Sequence, residues 1–190
     1  KKRNLMSSAK PYPAVISGTG LYTPENVITN EELVASYNSW ADQYNAEHSE
    51  EIETGELEAK PQSSVEFIVK ASGIQQRFAY VKEGILDTGR MRPLIPERPE
   101  EALSDQAEMA LYAARDAIKA AGKSPADIDA VVVSCAYTQR AYPAIAIEVQ
   151  NELGIKGFAF DMLVACSAAT FALHRGYEMV AAGTARCVLL

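Results

Sequence analysis

The sequence predicts an α/β protein built on a mainly parallel sheet. Apolar, β-branched runs alternate along the chain with stretches whose apolar residues recur at helical spacing. The run at 129–136 is apolar on both strand faces, which is typical of a parallel strand covered on both sides. The clearest helix covers 103–121 and is closed by Gly122, with apolar residues at 107, 110, 111, 114, 117, 118 and 121.

The elements nearest the N-terminus precede an acidic stretch. Residues 14–17 predict a short buried strand, and Gly18-Thr19-Gly20 follows it. Gly18 and Gly20 are not followed by the third glycine of a dinucleotide-binding fingerprint, so we interpret them as a tight turn with close backbone packing. Capping-box spacing in 29–32 predicts a helix that begins near Asn30. We expect 36–62 to be a surface insert, because residues 41–59 hold seven acids and no lysine or arginine.

Helix and strand also alternate through the rest of the chain. We expect a helix at 63–73, a long loop near 80–100, a helix at 143–153, a strand at 158–163, a helix from 166 to about 182 and a strand that starts at 185. The helix after Cys166 is apolar around most of its girth, which places it inside a layered fold. We expect residues 1–12 to be a disordered leader, and we expect residues 13–190 to form one half of a larger fold with more chain after Leu190.

Composition excludes several classes of protein. The net charge of −7 comes from the acidic stretch alone, since the remaining chain has equal numbers of acids and bases, and nothing suggests nucleic acid. No apolar run is long enough to span a membrane. Three widely spaced cysteines, without a Cys-x-x-Cys motif or a histidine cluster, indicate neither a disulfide framework nor a metal site. A reducing, cytoplasmic setting fits this pattern. Residues 70–98 hold a modest excess of basic residues. They could bind a phosphate or an acidic partner, or they could be part of a solvated surface with scattered charges.

Cys166 stands at a predicted strand-to-helix junction among small residues. The free N–H groups at a helix start favour the thiolate form of a cysteine. Spacing alone leaves two interpretations open, a nucleophile and a buried structural thiol. Cys135 and Cys187 lie inside apolar runs and are interpreted as small buried hydrophobes. His174 lies about two turns along the helix, so we expect any histidine partner of Cys166 beyond residue 190.

Several motifs resemble one family. Gly154-Ile155-Lys156-Gly157-Phe158-Ala159-Phe160-Asp161, followed by Cys166, resembles the thiolase-like condensing enzymes, above all β-ketoacyl-acyl-carrier-protein synthase III. The motifs at 16–24, 72–77 and 141–143 stand in the order that this family shows. The resemblance covers most of the chain outside 36–62 and 80–100.

The resemblance implies a layered α-β-α-β-α fold of two similar halves, of which this chain is the first. It implies that Cys166 accepts an acyl group from acyl-CoA, and that its backbone N–H forms part of an oxyanion hole. The acyl group then condenses, with loss of CO₂, with malonyl on acyl carrier protein, aided by a histidine and an asparagine of the second half. Tyr142 would reach across a homodimer interface into the partner's acyl pocket, and Phe67 would stack on the adenine of the coenzyme. Acyl-CoA enters as a substrate, and no cofactor is implied.

Departures from the family pattern keep alternatives open. Ala71 stands where close bacterial enzymes have an arginine near the coenzyme phosphates, and Phe67 stands where tryptophan is usual. The protein could therefore take a longer acyl donor, or it could transfer acyl groups without decarboxylation. A degradative thiolase would require a second active-site cysteine outside this chain. A non-catalytic dimerising subunit or an inactive fragment is the remaining alternative.

Overall fold

A computed structural model describes residues 12–190, so the predicted leader, apart from Tyr12, lies outside the described residues. The chain divides into two compact units, which we call unit 1 (12–22 and 98–190) and unit 2 (23–97). Unit 2 holds β1 (Asn26–Thr29), α1 (Asn30–Glu47), α2 (Ser49–Glu53), α3 (Val65–Ser72) and β2 (Gln76–Ala79). Unit 1 holds α4 (Asp105–Ala120), β3 (Ala130–Cys135), α5 (Ile145–Leu153), β4 (Phe158–Leu163), α6 (Ala168–Ala181) and β5 (Val188–Leu189).

Unit 1 is built on a parallel three-stranded sheet in the order β4-β3-β5, as the sequence predicts. Strands β3 and β4 pair along their whole length, from Ala130 opposite Phe158 to Cys135 opposite Leu163. The shorter β5 pairs with the start of β3. The three consecutive residues Ala130, Val131 and Val132 are all buried, which confirms a strand covered on both faces.

Helices cover the two faces of this sheet. The larger core lies between α4, α5 and one face, and its buried residues are Ala107, Leu111, Ile128, Val131, Ile145, Ala146, Val149 and Ile155. On the other face, Met179 of α6 packs with Ala130 and Val132. The buried residues of α6 are Ala168, Ala172, Gly176 and Met179, which form one stripe, while Phe171, Leu173 and Tyr177 are exposed. The described residues therefore cover less of α6 than its composition predicts.

The strand predicted at 14–17 is wrong. These residues form no ladder with the described strands, and Val15 and Ile16 are 85% and 72% exposed. Both edges of β3 are already occupied, by β4 and β5, so the central position in the sheet is not open to them. The glycines that follow lie against α4: a Cβ on Gly20 would stand 1.9 Å from the carbonyl oxygen of Ala113. The interpretation of close backbone packing is thus confirmed.

Unit 2 contains the acidic stretch, which is more regular than a surface insert suggests. The predicted capping box at Thr29 and Glu32 starts α1, and this helix continues through the insert to Glu47. Residues 57–63 return along α1 and are held by two side chains. Asn38 bonds both the N–H and the carbonyl of Ser63, and Asn45 does the same for Lys60, at 2.8–3.0 Å. We call these two pairings the asparagine clamps.

A two-stranded antiparallel sheet in unit 2 was not expected from the sequence. Strand β1 pairs with β2, with Val27 opposite Phe78, although no strand is predicted between 17 and 129. Each strand has four residues, too few for the alternation of apolar and polar side chains to stand out. Between them α3 begins at the Ser64 cap and ends at Gly73, whose φ of 74° is left-handed, as predicted.

Candidate active site

Cys166 lies where the sequence places it, between β4 and α6. The strand ends at Leu163, residues Ala165–Ser167 form one turn of 3-10 helix, and α6 begins at Ala168. Cys166 is exposed within this turn. Ala165, directly before it, has a φ of 45°, a left-handed conformation that costs a residue with a Cβ about 1–2 kcal/mol. The chain is thus bent sharply at Ala165 and presents the next side chain outward. We call residues 164–168 the cysteine turn.

The start of α6 has no side-chain cap. Ser167 occupies the N-cap position, but its side chain makes no capping hydrogen bond. Within the cysteine turn, the N–H of Ser167 donates to the carbonyl of Val164, and the N–H of Ala168 donates to the carbonyl of Ala165. The start of a helix carries partial positive charge, which favours a negatively charged oxygen or sulfur beside Cys166.

The other two cysteines have a different environment. Cys135 ends β3, Cys187 precedes β5, and both are half-buried against the larger core. Burial is the largest cause that raises the pKa of each thiol, and for Cys135 the nearby Asp161 carboxylate adds to it. A raised pKa disfavours the thiolate, so both side chains behave as small hydrophobes, as predicted.

Tyr142 lies on the connection between β3 and α5, which we call the tyrosine arm (136–144). Its side chain is 87% exposed. Tyr142 and Cys166 follow neighbouring parallel strands, so the connections that carry them leave the same edge of the sheet. Arg140 fixes the arm by donating to the carbonyls of Glu100 (2.9 Å) and Ala102 (2.8 Å). Gln139 adds two bonds, from its N–H to Gln106 and from the N–H of Asp105 to its side chain.

Two acids stabilise the residues next to the tyrosine arm, the partly buried Asp161 and the buried Glu148. The Asp161 carboxylate accepts hydrogen bonds from the N–H groups of Ile145 and Ala146, both at 2.8 Å, and so caps α5 from the next strand. The Glu148 carboxylate accepts from the N–H and the hydroxyl of Ser104. Sequence reasoning missed both roles. The available signal was a lone acid in the apolar run 158–163 and another in the apolar helix 145–153.

Phe67, the predicted coenzyme contact, lies in unit 2 on α3 and is 65% exposed. Lys70 and Ala71 follow it by three and four residues, so the three side chains share one side of the helix. An exposed aromatic ring beside a lysine is chemically suited to a purine and a phosphate. Cys166 and Tyr142 belong to unit 1.

Unit 1 has one histidine, His174, and it does not lie beside the cysteine turn. His174 lies about two turns into α6, is 70% exposed and contacts Glu178 at 3.7 Å. His48 belongs to unit 2, where its ring lies at an angle against that of Tyr44 and contacts Glu51 at 3.6 Å. Among residues 12–190, no three histidine, cysteine or acidic side chains are grouped to hold a metal ion. No helix in the described part of the chain is long and apolar enough to cross a membrane.

An exposed cysteine in a strained turn between a parallel strand and a helix occurs in more than one class of α/β protein, and the comparison with solved structures identifies the thiolase-like class. The solved 3-oxoacyl-[acyl-carrier-protein] synthase III of Aquifex aeolicus VF5 shares this fold with a TM-score of 0.59. It is 27% identical to this chain, and the match covers 90% of this chain and 41% of that one. No family model matches the chain.

Curated relatives agree with the structural match. A beta-ketodecanoyl-[acyl-carrier-protein] synthase of Pseudomonas aeruginosa is 53% identical over 155 residues, which are 82% of this chain and 44% of that protein. A beta-ketoacyl-[acyl-carrier-protein] synthase III of Bordetella petrii is 32% identical over 186 residues, or 97% of this chain and 44% of that protein. The chain belongs to the β-ketoacyl-[acyl-carrier-protein] synthase III family of thiolase-like condensing enzymes. It spans less than half the length of these relatives and corresponds to the N-terminal half that the resemblance implies.

Proposed function

We propose that Cys166 is the acyl-accepting nucleophile of a decarboxylating condensing enzyme. The observation that supports this most directly is the exposed thiol in the strained cysteine turn, in front of a helix start without a side-chain cap. The raised pKa values of Cys135 and Cys187 disfavour their thiolates and leave Cys166 as the candidate.

The proposed reaction has two stages. In the first, the Cys166 thiolate attacks the thioester carbonyl of an acyl-CoA, an acyl-cysteine forms, and the coenzyme leaves as its thiolate. In the second, malonyl on acyl carrier protein loses CO₂, and the resulting carbanion attacks the acyl-cysteine carbonyl. The new carbon–carbon bond gives a β-ketoacyl carrier protein and returns the Cys166 thiolate. Both attacks place negative charge on a carbonyl oxygen, which the backbone N–H of Cys166 would help to stabilise as part of an oxyanion hole.

The acyl donor is proposed to be of medium length. The relative from Pseudomonas aeruginosa is named for a β-ketodecanoyl product. A ten-carbon β-ketoacyl group formed by two-carbon extension requires an eight-carbon donor. At 53% identity over the shared segment, we propose the same donor class for this chain.

Contacts outside the cysteine turn are proposed as follows. Phe67 stacks on the adenine of the coenzyme, and Lys70 provides positive charge near a phosphate in the absence of an arginine at Ala71. Tyr142 reaches the acyl pocket of a second copy in a homodimer, a role that the exposed and firmly held tyrosine arm supports. Acyl carrier protein is the second partner, acyl-CoA is a substrate rather than a bound cofactor, and the cytoplasm is the proposed location.

Intact-protein mass spectrometry tests the first stage. The complete protein that carries this chain is incubated with octanoyl-CoA, and we expect one added octanoyl group. Cys166→Ser should abolish the label, because a serine hydroxyl remains protonated and is a far weaker nucleophile. Cys187→Ser is the matched control, because it also removes one thiol, and it should label like the wild type. A label that persists in Cys166→Ser would refute the assignment.

Release of CO₂ from labelled malonyl carrier protein separates the proposed reaction from its alternatives. The condensing enzyme should release CO₂ in step with β-ketoacyl product. A non-decarboxylating acyltransferase would acylate Cys166 without CO₂ release, and a degradative thiolase would cleave a β-ketoacyl-CoA with free coenzyme A. A non-catalytic subunit would take up no label.

A further inference from the structure

The side chain of Ser134 links the end of the cysteine turn to the central strand of the sheet. The hydroxyl of Ser134, in β3, donates a hydrogen bond of 2.8 Å to the carbonyl oxygen of Ala168, the first residue of α6. The carbonyl of Met162 lies farther from the same hydroxyl, at 3.4 Å. A serine hydroxyl has one proton to donate, so the shorter contact is the principal bond. Ser134 therefore joins the central strand to the backbone two residues beyond Cys166.

The local interactions at the start of α6 are backbone bonds alone. Neither Val164 nor Ser167, the caps of the two helical segments, makes a side-chain capping bond. The N–H of Val164 donates to the carbonyl of Cys135 (3.2 Å), that of Ser167 to Val164 (3.1 Å), and that of Ala168 to Ala165. The turn also contains the strained Ala165, and a strained backbone persists only where surrounding contacts hold it. Ser134 supplies such a contact from a buried strand.

The direction of the Ser134 side chain follows from the sheet. Residues alternate between faces along a strand, and Ala130 and Val132 pack on the α6 side. Ser134 shares their face, at the end of β3 nearest the cysteine turn, where Ala168 is buried. A hydroxyl at this position binds a helix carbonyl that an alanine or valine side chain could not bind.

We propose that Ser134 is a positioning residue for the nucleophile. It fixes the first turn of α6, and with it the positions of the Cys166 sulfur and backbone N–H, when charge develops on the substrate oxygen. This inference rests on the proposed role of Cys166. Ser134 itself does not touch the substrate; it acts through the backbone of Ala168.

Acylation kinetics in the complete protein test the proposal. For Ser134→Ala, we expect the rate constant for octanoylation of Cys166 at saturating octanoyl-CoA to fall about fivefold, the effect of losing one net hydrogen bond. The KM for octanoyl-CoA should stay within twofold, because coenzyme contacts are unchanged. Ser134→Thr keeps the hydroxyl and should restore most of the rate. Ser124→Ala is the control, since it removes the hydroxyl of a surface capping box that precedes β3.

Hydrogen exchange separates failure of this inference from failure of the proposed function. Amides of 166–171 should exchange faster in Ser134→Ala than in the wild type, and at the wild-type rate in Ser134→Thr and Ser124→Ala. Wild-type exchange and wild-type acylation in Ser134→Ala would overturn the inference and leave the role of Cys166 intact. A wild-type protein that takes up no octanoyl group would refute the proposed function and, with it, the positioning role. Slower acylation that Ser134→Thr does not restore would also count against the hydroxyl.

Discussion

At the scale of single residues, the exposure of Cys166 depends on a backbone bend at Ala165. The φ of 45° turns the chain out of β4 and exposes Cys166 before α6 begins. A left-handed residue with a side chain is strained, and strain of this kind is commonly stored beside reacting groups. The bend is therefore a structural cost that the fold carries to present a thiol.

Substitution at Ala165 tests this cost. Ala165→Gly should raise the free energy of unfolding by about 0.5–1 kcal/mol, because glycine adopts the left-handed region without strain but loses more entropy on folding. Ala165→Val should lower it by about 1–2 kcal/mol, because a β-branched side chain is least tolerated there. Urea denaturation measures both, and an equal effect of the two variants would show that the bend is not strained.

The position of Cys166 could be predicted from the sequence, but the residues that hold it could not. A strand, a cysteine and a helix in succession are visible in composition and periodicity, and they place the thiol correctly. Ser134 and Ala168 are 34 residues apart, and their contact exists only because β3 and β4 pair in register. Tertiary pairing of this kind leaves no local pattern in the sequence.

At the scale of elements, α5 shows how a helix is started by a neighbour. Ala144, its N-cap residue, makes no side-chain capping bond, and Asp161 of β4 binds the first two N–H groups instead. A carboxylate at a helix N-terminus also interacts favourably with the helix dipole. Asp161 thereby joins β4, the strand that leads to Cys166, to the end of the tyrosine arm.

Removal of this carboxylate should destabilise unit 1. Asp161→Ala is expected to cost about 1–2 kcal/mol, the usual effect of losing a helix cap. Asp116→Ala, at an exposed position on α4, is the control and should change the free energy of unfolding by less than about 0.5 kcal/mol. Thermal denaturation measures the difference, and equal melting temperatures for the two variants would contradict the capping role.

Elements with many residues and one dominant periodicity were predicted best. Helices α3, α4 and α5 and strands β3 and β4 match their predicted positions closely. The strand predicted at 14–17 failed because an apolar run does not by itself determine whether its backbone joins a ladder: the outer edges of β4 and β5 pair with no described strand, yet 14–17 pairs with neither. The pair β1 and β2 was missed because four-residue strands carry too few side chains to show a period.

At the scale of the whole molecule, stability depends on acidity through Asp129. Its carboxylate accepts hydrogen bonds from the guanidinium and N–H of Arg186 and from the N–H of Cys187. These bonds join the residue before β3 to the residues before β5. The hydrogen bonds from Arg186, above all that of its side chain, lower the pKa of Asp129. A lowered pKa in the folded state means that ionised Asp129 favours folding. This stabilisation is present above the ordinary aspartate pKa of about 3.9 and is lost as the pH falls through the lower, folded value.

Asp129→Asn should therefore reduce stability in a pH-dependent way. At pH 7 the variant is expected to melt at a lower temperature than the wild type. The difference should shrink as the pH falls below about 4, because Asp129 of the unfolded wild-type chain then takes up a proton, and it should be smallest once the folded carboxylate, with its lower pKa, is protonated as well. Melting curves at pH 7, 5, 4 and 3 give the comparison, and a difference that is constant across this range would argue against the ion pair as its source.

The asparagine clamps in unit 2 determine where the protein can accept foreign sequence. Seven residues of helix between Asn38 and Asn45 rise about 10.5 Å, and three extended residues from Lys60 to Ser63 span about 10 Å. The two lengths agree, so one residue added between Lys60 and Ser63 would shift the register and break a clamp. The turn at Gly55, between α2 and the returning residues 57–63, has no such restriction, since nothing lies within 4 Å of a Cβ built on Gly55. An epitope tag or fluorescent label inserted there should leave both asparagine clamps intact.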